Sequence, residues 1–165
     1  MDQVTEEDKQ NIKVIWDKVY PSADETGQAI VIRLFVDFPK TKNYFKKLKD
    51  ISTLEEMQAS AGIKAHGKRV MNAFNQIFSN MDNWSEVRTI VARLAHRHRD
   101  GHQVDVYNFA FLFEVVLNVL TDALGCTFTP DIKASWKKLL SILNDYIALC
   151  YAATPLVPEE PGTTV

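Results

Sequence analysis

The feature that most limits the possible folds of this chain is its shortage of helix-breaking residues. Its 165 residues include only six glycines and six prolines, and three of those prolines lie in the last eleven positions. Helix interiors tolerate glycine and proline least, so the rest of the chain is free to form long helices. No stretch alternates apolar and polar residues with the two-residue period of a half-buried strand. The sequence therefore predicts an all-α protein.

Apolar residues recur at steps of three and four along most of the chain, which places them on one face of each predicted helix. Residues 105–124 are apolar all round, which predicts deep burial. Seven or eight helices packed on one another are the expected fold. Their predicted bounds are Thr5 to Pro21, Ser22 or Asp24 (as N-cap) to Pro39, a short helix after Pro39, a short helix opened by Ser52 or Thr53, and longer ones at about 59–80, Ser85 to near Gly101, 105–124 and 130–152.

Length and charge set the broad class of protein. A chain of 165 residues is the size of one domain, predicted here at 1–152, and the proline-rich residues 153–165 are predicted to be a disordered tail. The net charge of -2 gives no general attraction to nucleic acid or to acidic membranes. The N-terminus has no targeting pattern, and no uninterrupted apolar run is long enough to span a bilayer. We expect a cytoplasmic protein that binds neither nucleic acid nor membrane.

The two cysteines, Cys126 and Cys150, lie near opposite ends of the last predicted helix. At 1.5 Å per residue they are separated by about 30 Å, far beyond the reach of a disulfide. Both are expected to be reduced thiols.

One residue interrupts an otherwise apolar helix face in the segment GIKAHGKRVM. His66 takes the inward position between Ile63 and Val70, where a leucine would be expected. Burying an imidazole without partners costs about 1–3 kcal/mol, so His66 requires one. In the next long helix His98 holds a similar inward position, four residues after Leu94.

A lone histidine on an apolar face is most often a core residue bonded to a backbone carbonyl, but two on facing helices could hold a metal between them. Zinc needs three or four protein ligands, and no thiol or carboxylate shares these faces. The cluster HRHRDGH adds His96 and His102, yet His96 and His98 point about 200° apart on a helix, and Gly101 is expected to end that helix before His102. A macrocycle that supplies four ligands itself fits two histidines better.

Four segments carry a family resemblance: VIWDKV, AIVIRLFVDFPKTKNYF, LEEMQASAGIKAHGKRVM and IVARLAHRHRDGHQV. They resemble the globin family, in particular myoglobin-like and cytoglobin-like members, over about residues 5–152. The resemblance implies a globin fold that encloses haem b, iron protoporphyrin IX. The matching positions are Trp16, Pro39, Phe45 placed 21 residues before His66, Val70 placed four after it, and Leu94 placed four before His98.

The resemblance also implies roles for single residues. His98 corresponds to the proximal histidine that binds haem iron, and His66 to the distal histidine. Tyr151 matches a tyrosine whose hydroxyl bonds the backbone near Val104. Phe45 corresponds to the phenylalanine that stacks on the porphyrin, and Val70 and Val31 lie in the implied distal pocket. The implied apolar contacts are Leu94, Val104, Phe109, Leu112 and Leu143. Arg69 and His102 match positions near the propionates, and one of Arg93, Arg97 and Arg99 could also pair with a propionate.

Three positions depart from the family pattern. Val31 stands where globins usually carry leucine, which leaves more room beside His66. Leu48 replaces a phenylalanine in the loop beside the haem. No cysteine lies near the second or fifth predicted helix, so the disulfide control of the distal histidine implied by cytoglobins is not expected.

Two functions follow, both with dioxygen and other diatomic gases as ligands and a monomer or weak homodimer as the assembly. In the first, as in cytoglobins, His66 is the sixth iron ligand and must leave before a gas enters, which makes redox chemistry on nitric oxide, nitrite or peroxide available. In the second, the iron is five-coordinate and the protein stores or transports oxygen. Arg69 and the 32-residue spacing between the two histidines favour the first.

Overall fold

The computed structural model describes residues 4–153, and these form seven α-helices and no strand. The all-α prediction is confirmed. Of the predicted tail, 154–165 lie outside the described residues. The helices are α1 (Glu6–Val19), α2 (Ala23–Asp37), α3 (Leu54–Ala59), α4 (Ala61–Ser79), α5 (Trp84–His96), α6 (Tyr107–Leu124) and α7 (Pro130–Ala152); 3-10 turns lie at Tyr20–Ser22, Pro39–Tyr44 and Gly125–Thr127, and a π turn at Arg97–Gly101.

Side-chain caps start several helices. Thr5 Oγ1 accepts a hydrogen bond from the Asp8 backbone N–H at 3.1 Å, and the Asp8 carboxylate accepts one from the Thr5 N–H at 3.0 Å. Thr53 caps α3. Ser22 holds the N-cap position of α2, one of the two alternatives predicted, but its side chain forms no capping hydrogen bond. The Tyr20 carbonyl accepts the Ala23 N–H instead, so the chain enters α2 from a preceding 3-10 turn.

Two predicted helices begin or wind differently in the structure. The short helix after Pro39 is a 3-10 helix. The helix predicted at about 59–80 begins at Ala61, because Ser60 is extended and its side chain accepts a hydrogen bond from the Ile63 N–H. In the turn between them Leu48 is buried, and a Cβ built on Gly62 would lie 2.7 Å from its side chain. The loop is therefore anchored on α4 at Leu48.

The close crossing of α2 and α4 fixes the position of His66. A Cβ built on Gly67 would lie 2.5 Å from the carbonyl carbon of Gly27, and one built on Gly27 would lie 2.5 Å from the carbonyl oxygen of Gly67. The two backbones therefore touch at a point where only glycine fits. Since Gly67 follows His66, this contact sets the height of the histidine above α2.

The main core lies where α1, α4 and α7 meet. Trp136 is fully buried, and the ring centroids of Phe78 and Trp16 lie 5.2 and 6.4 Å from its own. The Trp16 indole N–H donates to the Asn75 side chain at 3.0 Å. These aromatic residues are core, as predicted. α7 packs against α1, α5 and α6, and α2 packs against both α4 and α6.

The prediction of deep burial all round α6 is wrong. Phe113, Val115 and Leu120 are buried in the core, whereas Phe109 and Leu112 are half-buried and Tyr107 is 56% exposed. Residues Tyr107–Thr127 have the length and mean hydropathy, 1.7, of a membrane span. Because one face of this helix packs into the core, the apolar residues on its other face are available to line a site.

Candidate functional site

The π turn at Arg97–Gly101 gives His98 its position. A π turn is wider than an α turn and is frequent at functional sites. His98 Nδ1 lies 2.7 Å from the Leu94 carbonyl oxygen. A carbonyl can only accept, so Nδ1 carries the proton and Nε2 presents its lone pair away from the helix. Burial lowers the pKa of His98, which keeps the ring neutral as a metal ligand must be.

His66 faces the same region from α4. Its ring centroid lies 4.6 Å from that of Phe45, edge to face. Burial, followed by the positive charges of Arg69, His98 and His102, lowers the pKa of His66 to about 4. The ring is therefore neutral near pH 7, and Arg69, His98 and His102 all lie within electrostatic range of it. Among residues 4–153, no side chain or carbonyl forms a hydrogen bond with His66.

The predicted apolar contacts fall into two groups. Val31 and Leu143 are each 1% exposed and belong to the core. Five others lie against that core but are only half-buried: Phe45, Val70, Leu94, Phe109 and Leu112. Val104 is half-buried as well. Phe109 contacts His98, with ring centroids 5.2 Å apart. Val70 and Leu94 each lie one helical turn from one of the histidines.

These features fit a haem. Two neutral imidazoles with uncommitted nitrogens are the donor set of a macrocyclic iron, which needs only axial protein ligands. The half-buried apolar side chains beside them offer the nonpolar surface that a porphyrin would cover, at a gain of roughly 25 cal/mol per Å². No group of three or more histidine, cysteine or carboxylate side chains that could hold a metal occurs in the described part of the chain.

Arginine and histidine side chains lie near the two inward histidines. Arg69 and His102 are both exposed, and the His102 ring centroid lies 6.0 Å from that of His98. Arg93 and Arg97 are exposed as well. Arg99 is not, because its guanidinium is bonded to the end of α7. Of the three arginines considered for a propionate, Arg99 is therefore the one already engaged within the protein.

The chain beyond His98 is held by several hydrogen bonds. The Val104 N–H donates to the His98 carbonyl at 2.9 Å, and Gln103 adopts a left-handed conformation with φ 54°. The Tyr151 hydroxyl donates to the Val104 carbonyl at 2.8 Å, as predicted. Burial raises the pKa of Tyr151 to about 12, so this donor keeps its proton.

Sequence reasoning missed the π turn and the contacts of Arg99. The predicted helix ends near Gly101, and the turn does end there, but α-helical periodicity stops being valid five residues earlier. The sequence shows Arg99 next to Asp100, and their side chains do form an ion pair at 2.7 Å. Neither residue indicates in the sequence that Arg99 reaches α7.

Comparisons with known proteins agree with this architecture. A family model described as Globin matches residues 28–147. Cytoglobin-1 of Danio rerio is 37% identical over 152 residues, which cover 92% of this chain and 87% of that protein. Cytoglobin-1 of Oryzias latipes is 36% identical over 148 residues, covering 90% and 84%, and cytoglobin-2 of Danio rerio is 34% identical over 148 residues, covering 90% and 83%. The chain belongs to the globin family and, as a globin, binds haem and diatomic gases.

Proposed function

We propose that this globin holds haem b between His98 and His66, with both imidazoles on the iron when the protein is reduced and free of gas. His98 is the permanent ligand and His66 the one that a gas displaces. When bound, haem supplies an iron with two axial positions that accept imidazole nitrogens and diatomic gases. We further propose a cytoplasmic monomer or weak homodimer that binds neither nucleic acid nor membrane.

The observation that supports six-coordination is the state of His66. The ring is neutral near pH 7, is half-buried against Phe45, and has no hydrogen-bond partner among the described residues. The His66 nitrogens are not fully buried, so water can reach them in the haem-free protein. A porphyrin packed against Phe45 would exclude that water, and an imidazole nitrogen left without a partner would then cost free energy. Coordination satisfies it in the gas-free protein, whereas a hydrogen bond to a gas could do so only after the gas has bound.

The role of His98 follows from its bond to Leu94. A histidine ligand whose second nitrogen donates to a carbonyl is fixed in tautomer and orientation, and its free nitrogen becomes more basic. The Leu94–His98 contact of 2.7 Å supplies this bond from within one helix end. His98 is thus preorganised as the stronger of the two ligands, and His66, without such a bond, is the weaker.

Competition from His66 lowers the apparent gas affinity. The apparent dissociation constant equals the intrinsic one divided by the fraction of molecules in which His66 has left the iron, so an open fraction of about one in a hundred weakens binding about 100-fold. Val31 stands close to the α2–α4 crossing in sequence and is small, which favours movement of the distal side chain.

The positions of the cysteines support haem b, the form of haem that is held without covalent attachment. Attachment of haem through thioethers uses a Cys-x-x-Cys-His pattern that includes the iron ligand. The only two cysteines are Cys126 and Cys150, and both follow His98 in the sequence. The haem is therefore proposed to be retained by its two axial bonds and by the apolar walls.

Redox chemistry on nitric oxide, nitrite or peroxide is the finer part of the proposal. The positive charge of Arg69 beside His66 favours approach of an anion such as nitrite. A haem held by His98 and His66 would supply the one electron that, with two protons from solvent, converts nitrite to nitric oxide and water.

Absorption of the reduced, gas-free protein tests the coordination. Two axial histidines give sharp, split visible bands, while five-coordinate iron gives one broad band. We expect the split bands in the wild type and the broad band in His66→Ala. A broad band in the wild type would replace this proposal by a five-coordinate globin that stores or transports oxygen.

A further inference from the structure

Arg99, the residue after His98, joins the π turn to the end of α7. Its Nη1 donates to three backbone carbonyls at the end of α7: Cys150 at 3.0 Å, Tyr151 at 3.2 Å and Ala153 at 2.7 Å. Its Nε and Nη2 donate to the two carboxylate oxygens of Asp100, at 2.7 and 3.0 Å. The Arg99 side chain is only 15% exposed.

The end of α7 is a suitable partner for a guanidinium. The last carbonyls of an α-helix have no partner within the helix, and the helix dipole makes this end negative. The planar guanidinium can bind a carboxylate with one edge while its remaining N–H groups reach the helix end. A lysine ammonium, as a point charge, cannot hold both groups in fixed directions.

A second link joins the same two regions. The Tyr151 hydroxyl bonds the Val104 carbonyl, and the Val104 N–H bonds the His98 carbonyl. Phe109 lies between the two sites, with its ring centroid 5.2 Å from that of His98 and 5.8 Å from that of Tyr151. Residues 98–104 are therefore attached to α7 at both ends, by Arg99 at one and by Val104 at the other.

We propose that Arg99 is a positioning residue for His98, and that the C-terminal end of α7 is through Arg99 a working part of the proximal site. The guanidinium of Arg99 is engaged by Asp100 and the end of α7, and it holds the π turn that carries His98 at a fixed distance from α7. The inference rests on the proposed role of His98 as iron ligand. It adds that haem retention depends on backbone carbonyls contributed by residues 150–153.

The haem-free protein provides a test that does not depend on haem. Arg99→Gln removes the charge and most of the donors. Arg88 is an exposed arginine on α5, the helix that precedes the π turn, so Arg88→Gln makes the same charge change as a control. Hydrogen exchange should accelerate about tenfold or more in peptides from 97–106 and 146–153 in Arg99→Gln only. Unchanged exchange in both peptides would show that Arg99 does not hold the π turn against α7.

The haem-loaded protein tests the effect on His98. Loss of a group that hydrogen-bonds a metal ligand typically weakens metal binding about 10–100-fold. Because Arg99 acts on His98 only through the backbone of the π turn, we expect the lower end of this range, with haem release from Arg99→Gln about tenfold faster than from wild type or Arg88→Gln. Arg99→Lys should give an intermediate rate. In a His66→Ala background, where His98 is the remaining protein ligand, the iron–imidazole stretching frequency should shift with Arg99→Gln.

Asp100→Asn serves as a second variant if Arg99→Gln does not fold, because it keeps the arginine and removes the partner that orients it. Its haem release should also accelerate, by a smaller factor. Release rates and stretching frequencies equal to those of Arg88→Gln would overturn the positioning role. A wild-type protein that does not retain haem would instead refute the proposed function. Hydrogen exchange would still decide whether Arg99 holds the π turn against α7.

Discussion

At the scale of single residues, each nitrogen of the two inward histidines has a different task. His98 Nδ1 is committed to the Leu94 carbonyl, so only Nε2 can bind a metal. His66 has no such commitment among residues 4–153. In the proposed function this asymmetry, rather than the presence of two histidines, is what would make one ligand permanent and the other replaceable.

The first prediction concerns His98→Ala. This variant should lose stable haem retention, because the bond to the permanent ligand disappears. His96→Ala is the matched control, since His96 is exposed and lies two residues earlier on the same helix; it should retain haem fully. The measurement is the ratio of haem to protein after gel filtration, and an unchanged ratio and spectrum in His98→Ala would contradict the assignment.

The positions of both histidines could be predicted from sequence, because an apolar stripe with a three- and four-residue step shows which side chains share a face. The tautomer of His98 could not. It depends on the Leu94 carbonyl, which accepts the Arg97 backbone N–H and still has a lone pair for the His98 ring N–H in the widened turn that follows. Periodicity describes which way a side chain points and contains no information on which backbone groups can accept a further hydrogen bond.

At the scale of elements, the crossing of α2 and α4 fixes the position of His66. A Cβ on Gly67 would lie within 2.5–2.8 Å of three backbone atoms of Gly27 and Gln28. Backbone cannot rotate away as a side chain can, so the helices would have to separate. The sequence shows glycines at both positions, but not that they touch.

Gly67→Ala is therefore predicted to destabilise the protein by about 1–3 kcal/mol, the usual cost of overpacking, despite the gain of about 1 kcal/mol in helix propensity. The control is Gly62→Ala on the same helix, where the new Cβ would meet the flexible end of Leu48. Urea unfolding should show a lower midpoint for Gly67→Ala and an equal or higher one for Gly62→Ala. Equal midpoints for both variants would show that the crossing can relax.

At the scale of the whole molecule, the helical class and most helix bounds could be predicted because they depend on local patterns. The links that close the fold could not, because they join residues far apart in sequence. Asp8 of the first capping box also accepts hydrogen bonds from Ser135 at 2.8 Å and from Lys138 at 2.6 Å, both on α7. A residue that the sequence shows only as part of a helix N-terminus thus joins the first helix to the last.

Asp8 makes the stability of this closure depend on pH. Burial acts to raise the pKa of the Asp8 carboxyl, but hydrogen bonds from Lys138, the Thr5 backbone and Ser135 outweigh it and hold the pKa well below its ordinary value. Because the folded-state pKa is depressed, the stabilisation is complete well above the unfolded value of about 3.9 and is lost as pH falls below it.

Asp8→Asn should therefore lower the free energy of unfolding by about 1–3 kcal/mol at pH 7, because the buried partners on α7 lose a charged acceptor. The difference from wild type should shrink as the pH is lowered from 5 towards 2, because the unfolded wild-type chain then binds a proton at Asp8 that the folded protein still excludes. Asp17→Asn is the control: its carboxylate pairs with Lys13 one turn away on the same helix and is 61% exposed, so its loss should change stability by less than about 0.5 kcal/mol. Unfolding in urea at several pH values measures both, and a difference for Asp8→Asn that stays constant down to pH 2 would mean that this carboxylate does not close the first helix onto the last.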